Sequence, residues 1–265
     1  MDQAQLEQAV AGLPLAEIRY FESVGSTNDV AAEWSRQGKD GICLAVADEQ
    51  TRGRGRSGRR WFTPPDSALA FSLLLDASPK TGPGLGRITG LGALAVCEAL
   101  EALYALSPQI KWPNDILLGG KKVCGILAEA HWSGERLGAL VLGIGINVAA
   151  SSVPPQAGLN FQAVCLEDFT GKEVRRLDLL KAVIEHLLIW KQRLEHPGFT
   201  AAWESRLAYR GQTVQVETGP GKRIEAELLG LAEDGQLKLR LPNGAAQVFA
   251  AGEIRISPRI DSQAA

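Results

Sequence analysis

Ile110-Lys111-Trp112-Pro113-Asn114-Asp115-Ile116-Leu117-Leu118-Gly119-Gly120-Lys121-Lys122-Val123-Cys124-Gly125-Ile126-Leu127-Ala128-Glu129-Ala130 is the stretch on which the fold turns. Its apolar runs are too short for helices and are cut by Pro113, by Asn114-Asp115 and by Gly119-Gly120. They therefore read as consecutive strands at 110–112, 116–118 and 123–130, with a turn at the glycine pair. Ala139–Val148 continues the series as another apolar strand.

Towards the N-terminus, Ile88–Leu106 has apolar residues at helical spacing. Ala68–Leu75 alternates, with Leu69, Phe71, Leu73 and Leu75 on one face, so it is a strand. Ile42–Asp48 and Ile18–Glu22 are further strand candidates, and residues 2–12 form a short amphipathic helix. Ser26-Thr27-Asn28 precedes a helical pattern at Asp29–Gln37, where Ser or Thr serves as N-cap. Residues 76–86, with their prolines and glycines, form a connection.

Towards the C-terminus, Ala149–Gly158 reads as a loop, Leu177–Leu194 as the longest helix and Phe199–Leu207 as a shorter one. After Gly211 the texture changes. Short apolar runs at 213–216, 224–231, 237–241 and 247–249 alternate with Gly-Pro-Gly, Glu-Asp-Gly and Pro-Asn-Gly, which predicts a small barrel of four or five strands. The expected division is 1–208 and 209–265.

The 265 residues are 45% apolar and 22% charged, with a net charge of −2. These values fit a globular protein and exclude disorder and coiled coil. The charge balance argues against a surface built for nucleic acid or anionic lipid, although a local basic site is compatible with it. Cys43, Cys97, Cys124 and Cys165 are widely spaced, with no metal-ligand pattern, and read as buried thiols of a reducing compartment. The longest uncharged stretch, Leu137–Leu166, contains Asn147, Pro154 and Pro155 and cannot span a membrane. With no signal peptide evident, a soluble cytoplasmic protein is expected.

Four motifs carry chemistry. Residues 51–60 hold five arginines and three glycines, in Arg52-Gly53-Arg54-Gly55-Arg56-Ser57-Gly58-Arg59-Arg60, followed by Trp61. Glycines let the backbone approach a ligand, and arginine forks fit phosphate or carboxylate oxygens. By composition alone this is an anion-clamping loop, a nucleic-acid patch or a solvated basic loop; it is not a Walker A loop. In Lys111–Asp115, Pro113 keeps Trp112 out of a helix. Asp115 offers a hard oxygen ligand of the kind Mg²⁺ takes together with substrate phosphates, or else the pair Asn114-Asp115 is a simple Asx turn. Lys121 and Lys122 open a buried strand, so one points into a site and the other to solvent, unless both are edge-strand lysines. Gly143-Ile144-Gly145-Ile146-Asn147 places glycines inside a strand, which marks close approach of a ligand or tight sheet packing.

In this order, Ser26-Thr27-Asn28, Gly53–Trp61, Lys111–Asp115, Lys121–Gly125 and Gly143–Asn147 resemble the biotin–protein ligase family. The match is strong over residues 18–150 and weaker beyond. The resemblance implies an α+β fold: a mixed sheet with helices packed on one face, then a small SH3-like β-barrel. It implies that biotin and Mg-ATP give biotinyl-5′-AMP, and that biotin then passes to a lysine of a biotin carboxyl carrier domain. By position, Ser26, Thr27, Asn28 and Gln50 line the biotin pocket. Gly53, Arg54, Gly55 and Arg56 form a loop that closes over biotin and its adenylate, with the two arginines neutralising carboxylate and α-phosphate. Arg59 reaches the pyrophosphate end, Trp61 supports the adenine or the loop, and Asn114 and Asp115 hold nucleotide and Mg²⁺. Lys122, rather than Lys121, matches the catalytic lysine. Gly125 lies beside the biotin and Asn147 contacts the adenine pocket. His131, His186 and His196 lie outside these motifs and read as structural.

Some family members begin with a DNA-binding helix-turn-helix of about 60 residues. Here 17 residues precede the first expected strand, so the resemblance implies a ligase without a repressor arm, acting as monomer or homodimer and binding no nucleic acid. The family's C-terminal arginine run is shifted: Gly252-Glu253 is followed here by Ile254-Arg255-Ile256-Ser257. A lipoate or octanoate ligase of the same fold is the nearest rival, but its Arg-Arg and triple-glycine loop is absent.

Overall fold

A computed structural model describes residues 1–75, 84–133, 136–155, 161–219 and 221–255. Most of the connection expected at 76–86 and part of the loop expected at 149–158 lie outside them. Seven strands form one mixed sheet: β1 Glu17–Val24, β2 Cys43–Gln50, β3 Ala68–Leu75, β4 Gln109–Lys111, β5 Asp115–Leu118, β6 Lys121–Ser133 and β7 Arg136–Asn147. Their spatial order is β1-β2-β3-β7-β6-β5-β4. Only β1 and β2 run parallel, joined by the crossover helix α2 (Thr27–Arg36). The β5–β6 turn falls on Gly119 and Gly120, at φ +53° and +74°, a conformation glycine reaches without steric cost.

The main core lies on one sheet face. There Leu69, Phe71 and Leu73 of β3 and Leu142, Ile144 and Ile146 of β7 join the buried residues of α3 (Leu85–Tyr104) and α5 (Arg176–Gln192). The expectation of helices on one face needs correction. α2 covers the other face, where Ala31, Ala32 and Trp34 pack on Cys43, Ala45, Leu74, Ala139 and Val141. For this reason all eight residues of β3 are buried, rather than every second one. The longest described helix is also α3, at 20 residues against 17 for α5.

Shorter elements complete the unit: α1 Gln3–Ala9, capped by Asp2; α4 Glu167–Thr170; and α6 Pro197–Ser205, capped by His196. His186 bonds Glu98, so two of the histidines have local structural partners. All four cysteines are buried, and none forms a disulfide. No described helix is long and apolar enough to cross a membrane.

The second sheet comprises β8 Thr213–Gly219, β9 Lys222–Leu231, β10 Leu237–Arg240, β11 Ala246–Phe249 and β12 Glu253–Arg255, in the order β11-β10-β9-β8-β12. It is antiparallel, and among the described residues its end strands β11 and β12 do not pair, so the expected closed barrel is not found. The sheet is tied to the larger one by its β9–β10 turn. The Trp112 indole N–H donates to the Gly235 carbonyl at 3.0 Å, and the Arg87 guanidinium donates to the carbonyls of Glu233 and Leu194. Glu204 on α6 accepts from the Leu231 amide at 2.8 Å. These bonds join the β9–β10 turn and the end of β9 to the larger unit.

Candidate active site

A cavity of about 330 Å³ opens on the α2 side of the large sheet. Strand register explains why space is left there. Asp115, Gly125, Gly145 and Ala70 form one cross-strand row, and Leu127, Gly143 and Ser72 form the next. Small residues in the middle of both rows lower the floor. A Cβ on Gly145 would stand 2.4 Å from the Trp61 indole, and one on Gly125 would stand 2.9 Å from it. A Cβ on Gly143 would meet Asn28 Oδ1 at 2.1 Å. The close approach expected at these glycines is therefore made by Trp61 and Asn28. Among the described residues the buried Trp61 indole N–H has no hydrogen-bond partner.

One wall is polar. Ser26 is the N-cap of α2 but makes no side-chain capping bond; the helix starts at Thr27, two residues earlier than the sequence pattern suggests. Thr27 and Asn28 occupy its first turn, 3% and 4% exposed, and line the cavity together with Ser26. The Thr27 amide donates to Gln50 Oε1 at 2.9 Å, and Gln50 Nε2 donates to Thr63 Oγ1 at 3.3 Å. The Ser72 hydroxyl lies 2.7 Å from Thr27 Oγ1 and 2.5 Å from Asn28 Oδ1. Asn28 Nδ2 donates to Glu129 Oε2 at 2.6 Å. Thr27, Asn28 and Gln50 are each held by a neighbour, so their side chains are oriented before any ligand arrives.

The arginine segment is a narrow antiparallel loop rather than an irregular one. Gly53 accepts from the Trp61 amide, Gly55 donates to Arg59, and Arg56–Gly58 forms a 3₁₀ turn at the tip. Gly53 does not line the cavity; a Cβ there would sit 2.5 Å from the Trp61 carbonyl, so its smallness lets the loop close. Arg54 bonds Asp29 Oδ1 at 2.6 Å and Glu129 Oε2 at 3.2 Å. Burial pulls its pKa down, but these two carboxylates outweigh that and hold it above the usual value. Arg59 makes a two-pronged pair with Glu253 of β12, both contacts at 2.9 Å. Arg56 differs: it is the most buried of the three, its guanidinium donates to Asn114 Oδ1 at 3.3 Å, and burial lowers its pKa. A second cavity, about 820 Å³, lies along the same loop, with the first turn of α3 and residues 234–236 on its far side.

At the opposite wall Lys122 Nζ pairs with Asp115 Oδ1 at 2.6 Å and lies 5.5 Å from the centre of the Trp61 ring. Lys121 is exposed, as the alternation of a strand requires. Lys111, 4% exposed, stands 3.9 Å from Asp115 Oδ2 and 4.5 Å from the Phe161 ring centre. Burial pushes its ammonium pKa down, opposed by Asp115. One carboxylate thus faces two ammonium groups, and Arg56 adds a third positive charge. The surplus is positive in a poorly hydrated space, which suits an anionic ligand.

Asn147 lines the cavity, but its amide donates to the Val164 carbonyl at 3.1 Å and holds the 161–164 segment in place. Sequence reasoning missed Lys111, Ser72, Glu129, Phe161 and Glu253 as site residues. Among the described residues no group of three or more His, Cys, Asp or Glu could hold a metal ion. Asp115 is matched to Lys122, which suits it poorly to be a resident Mg²⁺ ligand.

The family model for the biotin/lipoate A/B protein ligase family matches residues 20–147, and that for the biotin protein ligase C-terminal domain matches 210–256. The biotin–[acetyl-CoA-carboxylase] ligase of Paracoccus denitrificans is 34% identical over 239 residues, 86% of this chain and 96% of that one. The chain belongs to the biotin protein ligase family. The bifunctional ligase/repressor BirA of Bacillus spizizenii is 32% identical over 88% of this chain and 72% of its own length. The biotin protein ligase of Aquifex aeolicus in complex with biotin and ATP superposes with a TM-score of 0.77, at 31% identity, covering 92% of this chain and all of that one.

Proposed function

We propose that this chain joins biotin to ATP as biotinyl-5′-AMP and transfers the biotinyl group to a lysine of a biotin carboxyl carrier domain. The observation that carries this reading is the gathering of four distant segments (26–28, 50–61, 111–115 and 122–125) around one cavity with surplus positive charge. In the first step a biotin carboxylate oxygen bonds to the α-phosphorus, and the bond to the bridging oxygen breaks, releasing pyrophosphate. In the second, the neutral lysine amine attacks the acyl carbon, AMP leaves with the bonding pair, and the amine loses its proton. Neither step needs a protein nucleophile; both need anions held together and charge stabilised.

In this reading Ser26, Thr27, Asn28 and Gln50 form the polar wall for the ureido ring of biotin. Arg56 and Lys122 flank the carboxylate and α-phosphate and are the catalytic residues, with Arg54 steering the loop. Lys111 adds charge from below, and Asp115 sits between the two lysines. Asn114 orients Arg56, and Arg59 with Glu253 latches the loop to the second sheet. Trp61 offers an aromatic face, and Gly125 and Asn147 shape the floor and the far wall. Mg²⁺ enters as part of the Mg-ATP substrate, held by phosphate oxygens and water. Residues 1–208 act as the biotin- and ATP-binding unit, and 209–265 as a smaller unit of the SH3-like kind, supported by its short hairpin-linked strands.

Exchange of labelled pyrophosphate into ATP tests the reading. Exchange that requires biotin and Mg²⁺ is expected. Exchange driven by lipoate or octanoate instead would move the function to the neighbouring ligase class.

A further inference from the structure

Glu129 is bonded both to the polar wall and to the arginine loop. Its Oε2 accepts from Asn28 Nδ2 at 2.6 Å and from Arg54 Nη2 at 3.2 Å, partners 101 and 75 residues away in sequence. The Asn28 amide has one orientation that satisfies its surroundings: oxygen towards the Ser72 hydroxyl and over Gly143, nitrogen towards Glu129. On its other side Arg54 is held by Asp29, which sits beside Asn28 on α2. Glu129 belongs to the cross-strand row of Val141 and Leu74 and is anchored by the sheet. A rigid strand thus presents one carboxylate oxygen to a buried wall residue and to a half-exposed loop arginine at once.

We propose that Glu129 is a positioning residue that couples the biotin pocket to closure of the arginine loop. The proposal rests on the reading of the cavity as a biotin and adenylate site. A ligand on the Ser26–Asn28 wall strengthens the hold on Asn28, which Ser72 and Glu129 already orient. Asn28 fixes the Glu129 carboxylate, and the carboxylate holds Arg54 and the loop strand that follows it. Removing the link leaves biotin able to bind but the loop less able to retain the adenylate.

Two variants separate the coupling from a packing role. Glu129→Gln keeps an oxygen for Asn28 but removes the charge that attracts Arg54; Glu129→Ala removes both. For each, three quantities are measured: biotin affinity, the release rate of preformed biotinyl-AMP, and protease cleavage within residues 52–60 with and without biotin. A hydrogen bond to a charged group corresponds to at least about tenfold in an equilibrium or rate. For Glu129→Gln, biotin affinity is expected to stay within about threefold of wild type, while adenylate release accelerates about tenfold and biotin no longer slows loop cleavage. For Glu129→Ala, biotin affinity falls about tenfold as well. If Glu129→Gln matches wild type in all three readouts, or weakens biotin and adenylate binding in equal proportion, the coupling is overturned. If the wild-type chain itself neither binds biotin nor retains an adenylate, the functional reading falls and this proposal with it.

Discussion

On β7, Leu142, Ile144 and Ile146 face α3 and the main core, while Gly143 and Gly145 face α2 and the cavity. β6 repeats the contrast with Cys124 and Ile126 on one side and Gly125, Leu127 and Glu129 on the other. The same backbone serves both faces, so the difference lies in side-chain volume. The core face is filled with branched residues and gains stability from burial. The cavity face omits side chains where Trp61 and Asn28 approach, and it carries charge that a stable core would exclude. Stability and chemistry are thus separated by the two-residue period of a strand.

The separation can be broken from either side. Lys122→Ala is expected to lower biotin-dependent pyrophosphate exchange on the order of 10²–10³-fold, the usual loss when one charge-stabilising donor is removed. A loss under about threefold would contradict its role. Leu142→Ala, on the core face, is expected to cost about 2–5 kcal/mol in urea unfolding. The folded fraction should keep its KM for biotin, and a raised KM would show that the faces are not independent.

Gly145→Ala tests the boundary itself. The added methyl displaces the Trp61 indole, so the apparent affinity for ATP or biotin should fall more than stability does, the latter by about 1 kcal/mol. The smallest effect concerns pH. Burial lowers the Lys111 pKa below 10.5, so between the two values the unfolded chain binds more protons and stability rises with pH. Lys111→Met removes that penalty. Its unfolding midpoint should exceed wild type at pH 7, with an advantage that shrinks as pH rises towards 10.5; a constant difference would argue that the effect is packing alone.

The strand series at 110–148 and the contiguous motifs were legible because periodicity and chemistry coincide within a few residues. Alternation required that one of Lys121 and Lys122 enter a site, and the resemblance to the family singled out Lys122. What stayed hidden depends on distance in the chain. Ser72 is a lone hydroxyl in an apolar strand, and only the fold puts it 44 residues away against Asn28. The pairing of Arg59 with Glu253 spans 194 residues. The second covered face was missed because Ala31, Ala32 and Trp34 form a narrow stripe on a mostly polar helix. Lys111 looked like a strand end, and its burial between Asp115 and Phe161 has no local signature.

The proposed function requires that this one cavity both make and hold an activated biotin. The most direct measurement incubates the chain with biotin and Mg-ATP, removes free ligand by gel filtration and quantifies what remains bound, before and after adding a biotin carboxyl carrier domain. Near-stoichiometric biotinyl-AMP, discharged as biotin on a carrier lysine with AMP released, is the predicted result. A chain that retains no adenylate and labels no carrier, although folded, would contradict it.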